Sequence, residues 1–201
     1  MFNPTEMEFW FAGKDFSTDW TSGNFPNWCR VFADRREKVT RILEVGSWEG
    51  RSAIFFLEFF RNASITCIDA FAGGGTSTNP ALHLAEARFD KNTKSYGARV
   101  TKIAAESVVA LHDLIKGKVE PFDLIYVDGS HFRDDVVIDS LMMWRLSAPG
   151  TIVIWDDYEG GRPDQAPETR VKAAIDYFLS LYGKQTAILH RGYQIIAQRI
   201  A

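Results

Sequence analysis

Apolar residues fall in two rhythms along the 201-residue chain. Short, partly β-branched runs at Ile42–Val45, Ser64–Asp69, Arg99–Ala104, Pro121–Asp128 and Thr151–Trp155 have the composition of buried strands. Longer stretches follow them. Ser52–Phe60 is apolar enough for a buried helix, and a helix is expected from Ala81 to about Lys91, with Leu82, Ala85 and Phe89 on one side. Others are expected around Val108, Leu111, Leu114 and Ile115, after Gly129–Val136 through Trp144 and Leu146, and over Glu168–Tyr182, closed by Gly183. Strand and helix in strict alternation predict an α/β fold with a parallel sheet. Thr151–Trp155 is the most continuously apolar run and is expected near the centre. Gln185–His190 and Tyr193–Gln198, joined through Arg191 and Gly192, predict a terminal hairpin.

Before the first strand the pattern changes. Residues 1–38 form an aromatic arm carrying Phe9, Trp10, Phe11, Trp20, Phe25 and Trp28, broken by Gly13, Gly23 and Pro26. A helix is expected from Asn27 to about Lys38, with Trp28, Val31 and Phe32 on one face. The arm can cover a ligand site, line an acceptor pocket, pack on a second subunit of a homo-oligomer, or simply pack on the domain. Residues 39–201 read as the core of a single domain, and the length is sufficient for one sizeable core.

Composition narrows the function classes. A net charge of −3 makes no electrostatic case for nucleic acid or an anionic membrane. No run reaches the ~18 apolar residues of a membrane span, and the first residues carry no signal-like pattern. Cys29 and Cys67 do not make a disulfide framework, so a cytoplasmic protein is expected.

The chemistry collects at strand ends. The first strand runs into Gly46-Ser-Trp-Glu-Gly50 and then a helix, the opening of a nucleotide-type βαβ unit in which glycines let the backbone turn and approach a ligand. A dinucleotide turn needs glycine where this chain has Trp48, which disfavours a nicotinamide oxidoreductase. Glu44 is a carboxylate at the end of an apolar strand, and burying it is costly without a partner. Asp69 ends the second strand, where an acid accepts from ribose hydroxyls or forms a turn. Asp128 ends the fourth strand, with His131 three residues on, and Asp156 and Asp157 end the fifth. Three converging carboxylates call for a cation or a proton, although each can also cap the turn or helix that follows. Residues 71–80, rich in Gly, Ser and Thr, read as a lid or a solvent loop.

The pattern Glu44-x-Gly46-x-x-x-Gly50 resembles the first motif of class I S-adenosylmethionine-dependent methyltransferases. The segments Val127–His131, Trp144–Gly150 and Ile154–Tyr158 resemble the bacterial small-molecule O-methyltransferases of the macrocin and aminocoumarin-sugar type and, more distantly, catechol O-methyltransferase. The resemblance runs from Ile42 to the last residue. It implies a Rossmann-like, doubly wound, seven-stranded sheet of order 3-2-1-4-5-7-6 with strand seven antiparallel. It also implies S-adenosylmethionine at Glu44, Gly46, Ser47, Gly50, Ser52, Asp69, Ser107 and Asp128. Ser107 would contact the adenine, and it also suits a helix N-cap. Magnesium is implied at Asp128, Asp156 and Asp157, with a small hydroxylated acceptor. Catechol O-methyltransferase has a lysine base where this chain has His131, so His131 and Asp128 stand as the catalytic candidates. A non-catalytic domain that keeps the fold and binds a ligand or partner is the alternative.

Overall fold

The computed structural model describes residues 6–71, 84–160 and 166–201. The expected helix start at Ala81–His83, nearly all of the 71–80 loop and residues 161–165 lie outside the described residues.

Seven strands form the sheet among the described residues: β1 Arg41–Val45, β2 Ser64–Asp69, β3 Val100–Ala104, β4 Leu124–Val127, β5 Ile152–Trp155, β6 Thr186–Arg191 and β7 Ile195–Arg199. Their order is β3-β2-β1-β4-β5-β7-β6, with β7 antiparallel to both neighbours. This is the Rossmann-like α/β sheet expected of class I methyltransferases. β4 takes the middle place, and β5 stands beside it, buried throughout.

Side chains alternate between faces because strand residues point alternately up and down. Ile42, Leu124, Tyr126, Ile152 and Ile154 meet the first helices; Leu43, Val45, Ile125, Val127 and Val153 meet the later ones. The first layer holds α1 Glu6–Trp10, α2 Phe25–Val31, α3 Arg51–Phe59 and α4 Ala85–Thr93. The second holds α5 Ser107–Lys116, α6 Arg133–Trp144 and α7 Val171–Tyr182. Among the described residues no helix is long and apolar enough to cross a membrane.

The arm is part of the first layer. Trp28 is fully buried, with ring centroids 5.1 Å from Phe55, 4.8 Å from Phe56 and 5.4 Å from Tyr126. Burying such side chains stabilises by roughly 1.5–3 kcal/mol each. Its helix is shorter than the expected Asn27–Lys38. It ends at Val31, and tight turns follow, with Arg35 N–H on Phe32 C=O and Lys38 N–H on Arg35 C=O, both 2.9 Å. Phe32 is anchored in the core and the chain must reverse into β1 within a few residues, which leaves no room for further helical turns.

Candidate active site

The C-terminal ends of the parallel strands form one rim, the side on which open α/β sheets bind ligands. Of the four described non-glycine residues with left-handed backbone, Trp48, Phe71 and Asp157 lie on it, following β1, β2 and β5. Such conformations concentrate at functional sites.

Glu44 points into the sheet interior from β1, fully buried. Its Oε2 accepts from the Cys67 thiol at 3.5 Å, while Oε1 has no hydrogen-bond partner, and neither does the buried Ser47 hydroxyl. Burial pushes the Glu44 carboxyl up to about 7, against the nearby hydroxyls of Ser47 and Ser52. Asp69 fixes the turn, accepting from the Trp48 N–H at 2.7 Å and the Phe71 N–H at 2.6 Å, one on each carboxylate oxygen. A carboxylate offers about four lone-pair sites, so capacity for hydroxyl donors remains.

The glycines of the turn also face neighbouring protein. Gly46 has φ +86°, and a Cβ there would lie 2.0 Å from the Asp128 carbonyl oxygen. Gly50, at φ +84°, would bring its Cβ to 3.1 Å from both Phe89 and Thr93. Both let the turn seat against neighbouring protein, β4 in one case and α4 in the other.

The remaining side chains of this turn grip the arm. Glu49, only 1% exposed, accepts from the Ser17 N–H and the Ser17 hydroxyl, both at 2.6 Å, and pairs with Arg88 of α4 at 2.9 Å. Arg51 pairs with Asp19 at 2.8 Å and lies over the rings of Phe11 and Phe16. Trp48 meets Trp20 at 5.7 Å between ring centroids. Asn92 of α4 completes the strap through the Asp15 backbone.

The acids beyond β4 and β5 meet. One ligand atom each from Asp128, His131 and Asp157 lie within 4.8 Å of one another. His131 Nε2 is 2.8 Å from Asp157 Oδ2, and the Tyr193 hydroxyl takes Oδ1 of the same carboxylate. Burial pushes Asp157 up, but the bonds from His131 and Tyr193 outweigh it and hold it below the usual carboxylate range. The same bond from Asp157 raises the His131 pKa, with burial opposing. Asp156 reaches the cluster through Tyr126, whose hydroxyl lies 2.5 Å from Asp156 and 2.8 Å from Asp128. Burial, and then the charges of Asp156 and Asp157, push Asp128 well above its ordinary value; burial also raises Asp156. One phenolic proton cannot serve two carboxylates at once, so this constellation favours a cation or a further proton.

Ser107 stands at the first position of α5, with Glu106 as the cap residue. The residues missing from the sequence reading are thus Glu49, Tyr126, Asp139 and Tyr193. Tyr126 and Tyr193 look like strand and turn residues. Asp139 carries a signal, since it shares the buried side of α6 with Val136 and Met143.

Residues 43–158 of the chain match the methyltransferase-domain family. The chain belongs to that family. None of the curated proteins matches this methyltransferase in sequence. Among solved structures it resembles the MycE methyltransferase of the mycinamycin biosynthetic pathway in complex with Mg and S-adenosylhomocysteine, at 17% identity and a TM-score of 0.65. That match covers 96% of this chain and 53% of MycE, so the methyltransferase spans about half of MycE's length. The O-methyltransferase from Bacillus cereus, in complex with S-adenosylhomocysteine, is 17% identical at a TM-score of 0.66, covering 96% of this chain and 88% of its own. TomG from Streptomyces achromogenes, involved in tomaymycin synthesis and bound to S-adenosylmethionine, is 17% identical at 0.63, covering 98% and 86%. At such identities the likeness is one of fold.

Proposed function

We propose that this methyltransferase moves the methyl group of S-adenosylmethionine to a hydroxyl of a small molecule, with a magnesium ion at Asp128, Asp156 and Asp157. The observation that carries the reading is that two of these carboxylates, Asp128 and Asp157, come within 4.8 Å of each other and of His131, while Asp156 is joined to Asp128 through the Tyr126 hydroxyl, on the rim that also holds the Glu44–Gly50 turn. The donor set fits the ion. Hard oxygen ligands suit magnesium, and the raised pKa of Asp128 marks charge that a dication would neutralise. MycE was crystallised with Mg. When bound, the ion lowers the pKa of an acceptor hydroxyl.

The chain's own residues do the rest. Glu44 and Ser47 offer unpartnered polar atoms to the donor's amino-acid end, Asp69 has acceptor capacity for its ribose, and Ser107 stands at its adenine. Methyl transfer is an in-line displacement: the acceptor oxygen bonds the methyl carbon as the carbon–sulfur bond breaks, leaving S-adenosylhomocysteine. The hydroxyl proton goes to His131. With Nε2 hydrogen-bonded to Asp157, the nitrogen of the neutral ring that takes the proton is Nδ1. Asp128 assists by holding the acceptor side of the rim together with Tyr126.

Thermal shifts with S-adenosylmethionine, S-adenosylhomocysteine, NAD and NADP test the donor, because a ligand stabilises the state it binds. Stabilisation by the first two alone is expected; none from any of them would leave a non-catalytic domain. Labelled donor incubated with a metabolite extract then reports turnover. Chelation with EDTA should abolish it and magnesium restore it, and full activity after exhaustive chelation would remove the metal from the reading.

A further inference from the structure

Tyr158 directly follows Asp157 of the acid cluster, and its ring is packed in the second layer, 4% exposed. A tyrosine hydroxyl has one proton to give and lone pairs to accept with. Here both are engaged. The proton goes to Asp176 Oδ1 at 2.8 Å. Lys172 Nζ donates to the oxygen at 2.5 Å, and Arg191 Nη1 donates at 2.7 Å. The same two cations lie over the ring, 4.0 Å and 5.3 Å from its centroid. One phenol oxygen thus holds two positive charges together.

The charges do not balance. Asp176 pairs with Lys172 at 2.9 Å. Among the described residues no carboxylate pairs with Arg191, whose hydrogen bond goes to Tyr158. An exposed arginine free to move would turn away from a second cation, since like charges repel. The buried tyrosine pins this one in place. A guanidinium has five N–H donors and an ammonium three, so most of the first set and one of the second stay in reserve. Two fixed cations with a charge in excess and donors to spare make a receptor for an anion, and the guanidinium fork matches carboxylate or phosphate oxygens.

The location gives the anion an owner. Lys172 stands in the first turn of α7. Arg191 ends β6 level with Ile195, which is level in turn with Trp155 at the end of β5, so the pair stands at the rim that carries the acids. Tyr193, two residues beyond Arg191, sends its hydroxyl to Asp157, and its carbonyl accepts from the Glu159 N–H at 3.3 Å. The hairpin turn therefore reaches Asp157 with one residue and completes the cation pair with another.

We propose that Lys172 and Arg191, held by Tyr158, bind an anionic oxygen group of the methyl acceptor, so that the molecule methylated carries a carboxylate or a phosphate besides its hydroxyl. That an anion binds rests on this cluster alone; that it belongs to the acceptor rests on the methyl-transfer reading.

Thermal shifts without magnesium, in potassium phosphate against potassium chloride at equal ionic strength, test the anion. Phosphate should raise the parent's midpoint saturably. Arg191→Gln and Lys172→Gln should each weaken its apparent affinity by ~10-fold or more. No saturable rise in the parent, or an undiminished one in either folded variant, overturns the anion site. A metabolite extract split on an anion-exchange resin, then incubated with labelled donor and magnesium, tests the owner. Label should enter the retained fraction, and Arg191→Gln should need ~10-fold more of that fraction for half-maximal labelling while its affinity for S-adenosylhomocysteine stays the same. Treating the retained fraction with alkaline phosphatase, then removing the phosphatase, separates the two sources: lost labelling identifies a phosphate, kept labelling a carboxylate. Label confined to the unretained fraction overturns the assignment to the acceptor. Label in no fraction, with phosphate binding intact, overturns the methyl-transfer reading instead and leaves the anion site standing.

Discussion

Replacing Glu49 by Gln changes one atom at the point where the arm meets the Gly46–Gly50 turn. The carboxylate receives three donors: the Ser17 N–H, the Ser17 hydroxyl and the Arg88 guanidinium. An amide keeps one acceptor oxygen but turns an NH2 group towards donors, and it strips Arg88 of its nearest counter-charge. Arg88 is 21% exposed and retains Asp15 at 3.5 Å, so it is not stranded. Breaking a buried pair costs ~3–5 kcal/mol, and the partial exposure of Arg88 places this case near ~3 kcal/mol. For a chain of this length each kcal/mol moves the midpoint by ~2–4 °C, so the expected drop is ~6–12 °C. The arm should also loosen before the core does. Lys14, whose ammonium sits on the Asn92 carbonyl at 2.5 Å, becomes a site of faster tryptic cleavage. Calorimetry and a timed tryptic digest measure both effects. A midpoint within ~1 °C of the parent's, with Lys14 cut no faster, would refute the claim that Glu49 holds the arm.

Three further outcomes follow from the same geometry. Between pH ~4.5 and ~7 the folded chain keeps a proton on Glu44 that the unfolded chain has released, so this group alone should lower stability across that window by ~3 kcal/mol. Urea titrations at stepped pH should show a decline that Glu44→Gln makes shallower by that share, the remainder belonging to Asp128, Asp139 and Asp156, whose pKa values burial also raises. Gly46→Ala would place a methyl group 2.0 Å from the Asp128 carbonyl oxygen. It should fail to accumulate as folded protein, as seen by circular dichroism, even with saturating donor. His131→Ala should reduce turnover by ~10²-fold with donor affinity little changed. Because Asp157 raises the His131 pKa, the base form is lost as pH falls through that raised value; the acidic limb of the rate profile should vanish in the variant, and an unchanged limb would exclude His131 as the base.

What could be read from the sequence was what each strand or helix states locally. Strands such as β4 and β5 announce themselves because buried parallel strands are continuous apolar runs, whereas edge strand β3 carries Thr101 and Lys102 and is partly exposed; the acids Asp69, Asp128, Asp156 and Asp157 stand out because they stand at strand ends. The strand order came from a family likeness, not from periodicity. The strap was hidden for a different reason. Ser17 and Glu49 are 32 residues apart, and Trp28 and Gln194 are 166 apart; neither pair has a local pattern to betray it. A second demand on Gly46 was not legible: its missing Cβ also makes room for the β4 backbone, a neighbour that no local pattern names. Asp139 was legible in principle, because a charged residue on the apolar side of a helix is an anomaly that periodicity exposes.

The contact between Trp28 and Gln194 orders events during synthesis. The indole N–H of Trp28 donates to the Gln194 side chain at 2.6 Å. A chain still on the ribosome can pair β2 with β1 and β3, and then add β4 beside β1 and β5 beside β4, before residue 194 has emerged. Until then β5 presents an open, fully apolar edge, and the tryptophan that anchors the arm has no acceptor in place. Such edges template pairing with other chains. The nascent protein is therefore most exposed to aggregation in the interval between the completion of β5 and the arrival of the final hairpin, about forty residues later by chain position. A chaperone would have its greatest effect within that interval.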